Sequence, residues 1–219
     1  IQLANMLACA KTLKNSGITE YLDGDITFLA VPAEEFIDTE YRSNLKKEGK
    51  ITYFSGKQEM LHLGVFNNID AAMMVHSQAN CPERRLFVGG GGLGFAAKTI
   101  RFSGKEAHAG GAPHDGINAL NAASAAITMI GMQRETFRDE DKIRVHYIIT
   151  KGGDSVNTVP ADVRMELYVR GVSEAAIKNA EEKVDRAIQG AAYGIGASAE
   201  ITTLGSYAPL CQNSELSRI

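Results

Sequence analysis

Gly89-Gly-Gly-Gly-Leu-Gly-Phe-Ala-Ala-Lys-Thr-Ile-Arg-Phe102 is the stretch that divides this chain. A glycine run that cradles phosphate needs a strand before it and a helix after it. Here the residues that follow, Phe95 to Phe102, alternate as a strand does. The glycines therefore read as a hinge or domain boundary.

Downstream of that boundary the pattern becomes a compact unit. A strand over 96–103 leads into a loop rich in Gly, Ala and Pro, and then into a helix over 116–132 with Leu120, Ala123, Ile127 and Ile130 on one face. Strands follow over 143–150 and 163–169, joined through Gly152-Gly-Asp154. Ser173 is a good N-cap for a helix carrying Ile177, Ala180, Val184, Ile188 and Ala191, which Gly194-Ile-Gly196 ends. A last strand covers 199–204. The order β-α-β-β-α-β is the split βαβ of ferredoxin-like domains.

Upstream, Ile1, Ala4, Leu7, Ala8 and Leu13 mark one face of a helix ended by Asn15-Ser-Gly17. Ile26 to Val31 reads as a short buried strand, stopped by Pro32. A polar helix is expected over 34–48 with Tyr41 and Leu45 as anchors, a second over 56–63, and a short buried strand over 71–76. The expected architecture is an incomplete α/β domain over residues 1–94 and 206–219, interrupted by a ferredoxin-like α+β domain over 95–205.

The chain has 219 residues, 44% of them hydrophobic, and a net charge of -3. That is an ordinary globular composition. Slight acidity argues against a nucleic-acid or anionic-membrane partner. No run approaches the roughly 18 apolar residues of a membrane span. Cys9, Cys81 and Cys211 are few, odd in number and far apart, which suggests reduced thiols and a cytoplasmic setting. The opening Ile1-Gln-Leu3 carries no basic leader, and both ends cut into helical patterns. An internal fragment of a longer protein is expected.

Three groups of residues point to chemistry. Glu34 and Glu35 follow a strand end, and His76 ends the next apolar run. If both strands lie in one parallel sheet, the three side chains converge on one edge, a carboxylate–imidazole set suited to zinc. The alternatives are an acidic first helical turn and a structural histidine. The second group is His108 and His114 in a loop of small residues, where an imidazole can stabilise an oxyanion or simply be solvated. The third is the loop ending in Asn157, with Arg164 and Arg170 on one face of the strand after it. An arginine there can clamp a carboxylate, or form a solvent-facing row.

Pro32-Ala-Glu-Glu35, then Ser103-Gly-Lys-Glu-Ala-His-Ala-Gly-Gly-Ala-Pro-His-Asp-Gly-Ile-Asn118, then Gly152-Gly-Asp-Ser-Val-Asn-Thr-Val-Pro160 fall in a telling order. Together they resemble the aminoacylase/carboxypeptidase family of dinuclear zinc amidohydrolases, in its N-acyl-amino-acid and aminobenzoyl-glutamate branch. The resemblance implies a zinc-binding α/β domain with an inserted lid that forms a homodimer, two divalent metal ions, most simply zinc, and a small N-acyl amino acid or peptide as substrate. It implies Glu34 as general base, Glu35 and His76 as metal ligands, and His108 as the lid histidine that steadies the oxyanion in the partner subunit's site. Asn157 and Arg170 take substrate-binding positions, and His114 joins them in the motif with its role open. The family's further metal ligands lie in segments this sequence does not show, so the chain alone is expected to be inactive. A non-catalytic dimerisation module with a vestigial metal site, and an aminopeptidase acting on free peptides, are the alternative readings.

Overall fold

The computed structural model describes residues 1–77 and 87–218 and divides into two compact units, one ending at Phe87 and one beginning at Val88. The second unit holds a four-stranded antiparallel sheet. Its strands are β1 (Gly94–Ser103), β2 (Arg144–Lys151), β3 (Asp162–Gly171) and β4 (Ser198–Tyr207), in the order β2-β3-β1-β4. Two helices, α4 (Ala119–Met132) and α5 (Glu174–Ile195), complete the β-α-β-β-α-β order. This is the mixed α/β arrangement with a ferredoxin-like domain that the sequence implies.

Strand alternation builds the core. On β3, Val163, Met165, Leu167 and Val169 are buried while Arg164 lies exposed between them. On β1, Ala96, Ile100 and Phe102 join the same layer. The helices meet it with small residues: Ala119, Ala122, Ala123 and Ala126 from α4, and Ala180, Ala187 and Ala191 from α5. Alanine faces let a helix sit close against a sheet, and Ile188 and Val184 fill the space between. The helix starts are set by side chains. Asn118 accepts from Leu120 N–H and Asn121 N–H at 2.9 and 3.0 Å, so α4 begins at Ala119 rather than at Gly116. Ser173 accepts from Ala176 N–H at 3.1 Å, and Gly196, at φ 80°, ends α5.

One charge sits inside this layer. Lys98 lies on the helix-facing side of β1 and is only 4% exposed. Its ammonium donates to both oxygens of Asp185, at 2.9 and 2.7 Å, and lies 3.0 Å from Glu181. Both carboxylates are on α5, so the ion pair fixes where that helix crosses the sheet. A buried cation of this kind is tolerated because it is paired.

The first unit differs from the sequence reading. It contains α1 (Gln2–Ser16), α2 (Thr39–Lys47) and α3 (Gly56–His62), and no strand among the described residues. Residues 26–31 and 71–76, expected as buried strands, form no strand, with Ile26, Phe28, Met73, Met74 and Val75 exposed. A strand is defined by ladder hydrogen bonds to a neighbour, and the described residues of this unit supply none. The expected apolar face of α1 is likewise uncovered: α1 buries no residue.

α2 starts later than expected because Asp38, in the left-handed region at φ 50°, caps it by accepting from Tyr41 N–H at 3.2 Å. Its buried anchor is Arg42 rather than Tyr41. Arg42 donates to the Phe54 carbonyl at 2.7 Å, beside the stacked Phe36 and Phe54 rings. Cys9 and Cys211 are exposed free thiols, and Cys81 lies outside the described residues.

Lys98→Ala leaves Asp185 and Glu181 facing each other without their cation. Urea denaturation of the chain is expected to show about 3 kcal/mol of lost stability, the low end for breaking a buried pair because both carboxylates keep some water. An unchanged midpoint would show that the pair carries no stability.

Candidate functional site

β1 and β3 do not stop pairing where the strands end. Ser103 faces Asp162 in the ladder, and Gly104 N–H then donates to the Ala161 carbonyl at 2.8 Å. A Cβ on Gly104 would fall 2.1 Å from the Ile117 carbonyl oxygen, so only glycine fits that crossing. Lys105 and Ile117 then exchange two backbone bonds of 2.9 Å, Val159 N–H donates to the Ala107 carbonyl at 2.9 Å, and Ala109 N–H donates to the Asn157 carbonyl at 2.8 Å. His108 pairs with Thr158. This run of bonds clamps the loop bearing His108 against the loop bearing Asn157, at one end of the sheet.

Both side chains are exposed. The His108 loop is closed by Ala112 N–H donating to the His108 carbonyl at 3.0 Å. The His108 ring itself accepts at Nδ1 from Gly111 N–H at 2.8 Å and from Gly110 N–H at 3.2 Å. Asn157 N–H donates to Ser155 Oγ at 3.3 Å, and the neighbouring Val156 is fully exposed at the loop tip. His114 sits in the short 3-10 turn Pro113–Asp115, exposed, with Nε2 4.0 Å from Asp115.

The Asn157 loop is tied down by charge. Lys151 bridges Asp154, inside the loop, and Asp162, at the start of β3, at 3.2 Å each. Asp162 also accepts from Arg101 Nε at 2.7 Å and lies 3.5 Å from Arg164. The Arg101 hydrogen bond holds the Asp162 carboxyl below its ordinary range. Partial burial opposes that shift, and Lys151 reinforces it. The Lys151 ammonium is pushed up, chiefly by its hydrogen bond to Asp154. Arg164 thus belongs to a surface charge cluster.

Arg170 shares the face of Arg164 as expected, but lies at the other end of β3. Its guanidinium stacks over Phe95 at 5.1 Å and Tyr168 at 5.5 Å, and those two rings stack on each other at 5.0 Å. Arg170 lies eight residue steps along β3 from Asp162, roughly 26 Å of extended chain. The structure therefore joins the loops that carry His108 and Asn157 through their backbones and leaves Arg170 at the other end of the strand within one domain. His146, on β2 opposite Tyr168, is exposed.

In the first unit, Glu34 is held by Lys57 at 2.7 Å. Ala33, at φ 52°, turns this segment onto the start of α3. Gly56 N–H donates to the Ala33 carbonyl at 3.2 Å there, and a Cβ on Gly56 would strike the Pro32 oxygen. Glu35 and His76 are exposed. His76 Nδ1 donates to the Ser77 carbonyl at 2.6 Å, which leaves the Nε2 lone pair available. Among the described residues, no group of three or more His, Cys, Asp or Glu side chains is placed to hold a metal ion. The convergence expected of Glu34, Glu35 and His76 rested on two parallel strands that do not form, and two ligands do not make a zinc centre.

Sequence reasoning does not reach four partners of these side chains. Lys57 is 23 residues from Glu34 and carries no local signal. Tyr168 was legible, since it lies two residues before Arg170 on the same face. Gly110 and Gly111, which in sequence signal only room for a ligand, also supply N–H donors to the His108 ring.

Residues 92–194 match the family described as the peptidase dimerisation domain. The chain is 31% identical over 144 residues to a p-aminobenzoyl-glutamate hydrolase subunit of Escherichia coli, covering 64% of this chain and 33% of that protein. It is 29% identical over 199 residues to N-acetylcysteine deacetylase of Bacillus subtilis, covering 88% of this chain and 46% of that protein. Among solved structures it is similar to an aminobenzoyl-glutamate utilization protein from Klebsiella pneumoniae, with a TM-score of 0.51 and 27% identity over 57% of this chain and 32% of that one. The chain thus spans between a third and a half of the length of these relatives. No helix among the described residues is long and apolar enough to cross a membrane.

Asp162 sets an acid limit on the clamped end of the sheet. A carboxyl depressed in the folded state contributes its full stability above the unfolded value of about 3.9, and loses it as pH falls through the lower folded value. The stability difference between the natural chain and Asp162→Asn is therefore expected to be constant from pH 7 to about 5 and to shrink below about 4. Denaturation midpoints measured across that range check this, and a difference that grows in acid would contradict it.

Proposed function

From a chain whose residues 92–194 match the peptidase dimerisation domain family, we propose a protein that hydrolyses the amide bond of N-acyl amino acids or related small peptides. The observation that carries this reading is the backbone clamp that joins the loop of exposed His108 to the loop of exposed Asn157 at one end of the sheet. Exposed hydrogen-bonding side chains carried by two loops whose backbones are clamped together suit a polarised carbonyl and the oxyanion it becomes. Two of the similar proteins are named for p-aminobenzoyl-glutamate and N-acetylcysteine, both amino acids acylated on nitrogen, which supports the substrate class.

In this reading His108 donates to the oxyanion and Asn157 holds the scissile carbonyl. His114 lines the same approach. Arg170 binds the substrate carboxylate, pre-oriented by Phe95 and Tyr168. Arg170 lies roughly 26 Å of strand from the His108–Asn157 end, so one copy of the domain cannot grip a small substrate at both places. A substrate held by all three takes them from two copies, which is the reason for a homodimer built through this domain. Glu34 takes the proton of the attacking water and passes it to the leaving amine, after release from Lys57.

Two divalent metal ions, most simply zinc, are the proposed cofactors, and would supply a water of lowered pKa. Glu35 and His76 are proposed as two ligands, and by themselves they do not constitute the centre. A reducing, cytoplasmic setting is proposed from the few, widely spaced cysteines of the sequence. The Glu34–Lys57 pair also favours a second reading, in which the base is permanently masked and the protein is a dimerisation module.

Turnover by the full-length protein on N-acyl amino acids, p-aminobenzoyl-glutamate and dipeptides tests this. Glu34→Gln is expected to lose about 10²–10⁴-fold in kcat, and His108→Ala about 10²–10³-fold. Mixing the two inactive variants is expected to restore turnover, because a mixed dimer keeps one intact site. Full activity in Glu34→Gln removes it as the base. No turnover on any substrate, with no bound metal, favours the dimerisation module.

A further inference from the structure

The bonds to the His108 ring carry more than anchorage. A backbone N–H only donates, so the ring atom receiving it must be a bare acceptor. Gly111 N–H and Gly110 N–H both point at Nδ1, at 2.8 and 3.2 Å. The proton of the neutral ring is thereby assigned to Nε2, on the opposite side of the imidazole.

We propose that Gly110 and Gly111 are positioning residues that lock His108 as the Nε2–H tautomer, so that a neutral imidazole presents a fixed donor. This rests on the reading of His108 as an oxyanion donor and supplies the reason it is suited to that role. A free imidazole exchanges tautomers and rotates, and a donor that must be found at each encounter loses preorganisation.

The chain spacing makes the lock possible. The donors follow His108 by two and three residues, and the turn is closed by Ala112 N–H on the His108 carbonyl. Space is tight beside the ring at Gly111 and ordinary at Gly110. A Cβ on Gly111 would lie 3.2 Å from Nδ1 and 3.6 Å from Cγ, and one on Gly110 would lie 3.5 Å from Cε1. The loop's own pairing with Thr158 holds the whole turn against the sheet.

The test is nitrogen NMR on the full chain labelled in its histidines, with the His108 signals assigned by their loss in His108→Gln. Under conditions where the ring is neutral, Nε2 is expected at the protonated position and Nδ1 at the unprotonated one. Gly111→Pro removes the 2.8 Å donor, and the two signals are expected to move toward each other as tautomers mix. Gly111→Ala keeps the N–H and is expected to hold the tautomer while shifting both signals slightly. An Nδ1–H tautomer in the natural chain overturns the proposal, and so do signals unmoved by Gly111→Pro. The natural chain decides the matter even where the proline variant does not fold. This readout is separate from turnover. An Nε2–H tautomer in a full-length protein without hydrolase activity upholds the lock and rejects the hydrolase reading, and an active protein with Nδ1–H does the reverse.

Discussion

The antiparallel register of β1 on β3 is the constraint on which the rest of the second unit depends. Phe102 opposite Val163 and Ile100 opposite Met165 put apolar side chains of both strands into one layer. A slip of one residue would turn every one of them to the other face and bring Arg101 and Arg164 inward. The same register places Phe95 opposite Arg170, which makes the stacked guanidinium possible. Carried past the strand ends, it meets the loop of His108 with the loop of Asn157.

Charge finishes what the register begins. Lys98 enters the core only because α5 brings Asp185 and Glu181 to it, so the pair ties one helix to the central strand at a single place. Asp162 plays the corresponding part on the open face. It gathers Arg101 and Lys151, and Lys151 in turn holds Asp154 within the loop that ends in Asn157. Exposed pairs contribute little stability singly. Their value here is positional, since they limit the excursions of a loop whose tip residue, Val156, has no packing of its own.

The domain is polar at both ends of its sheet, with different chemistry at each. One end offers an imidazole and an amide, suited to a carbonyl. The other offers an arginine already desolvated on one face by aromatic rings, suited to a carboxylate. Hydrogen-bonding groups set on a rigid sheet keep their geometry better than groups on free loops. The first unit lacks such a support. Its paired glutamates lie on a turn packed against Gly56, and Glu34 is neutralised by Lys57 instead of facing a cluster of ligands.

The sequence alone determined what is local. Alternation in 163–169 and the helical period of 177–191 require only that one face be apolar, and Ser173 caps α5 through a residue three positions away. The ordered motifs around Glu34, His108 and Asn157 likewise stand in the sequence as written. The strands expected over 26–31 and 71–76 failed because an apolar run specifies burial, and only a neighbouring chain can make it a strand. Tertiary structure alone decided that Lys98 meets Asp185, that Glu34 meets Lys57, and that Arg170 lies at the far end from Asn157. Those outcomes join segments that no sequence period connects, and they follow from register and crossing geometry once the core has closed.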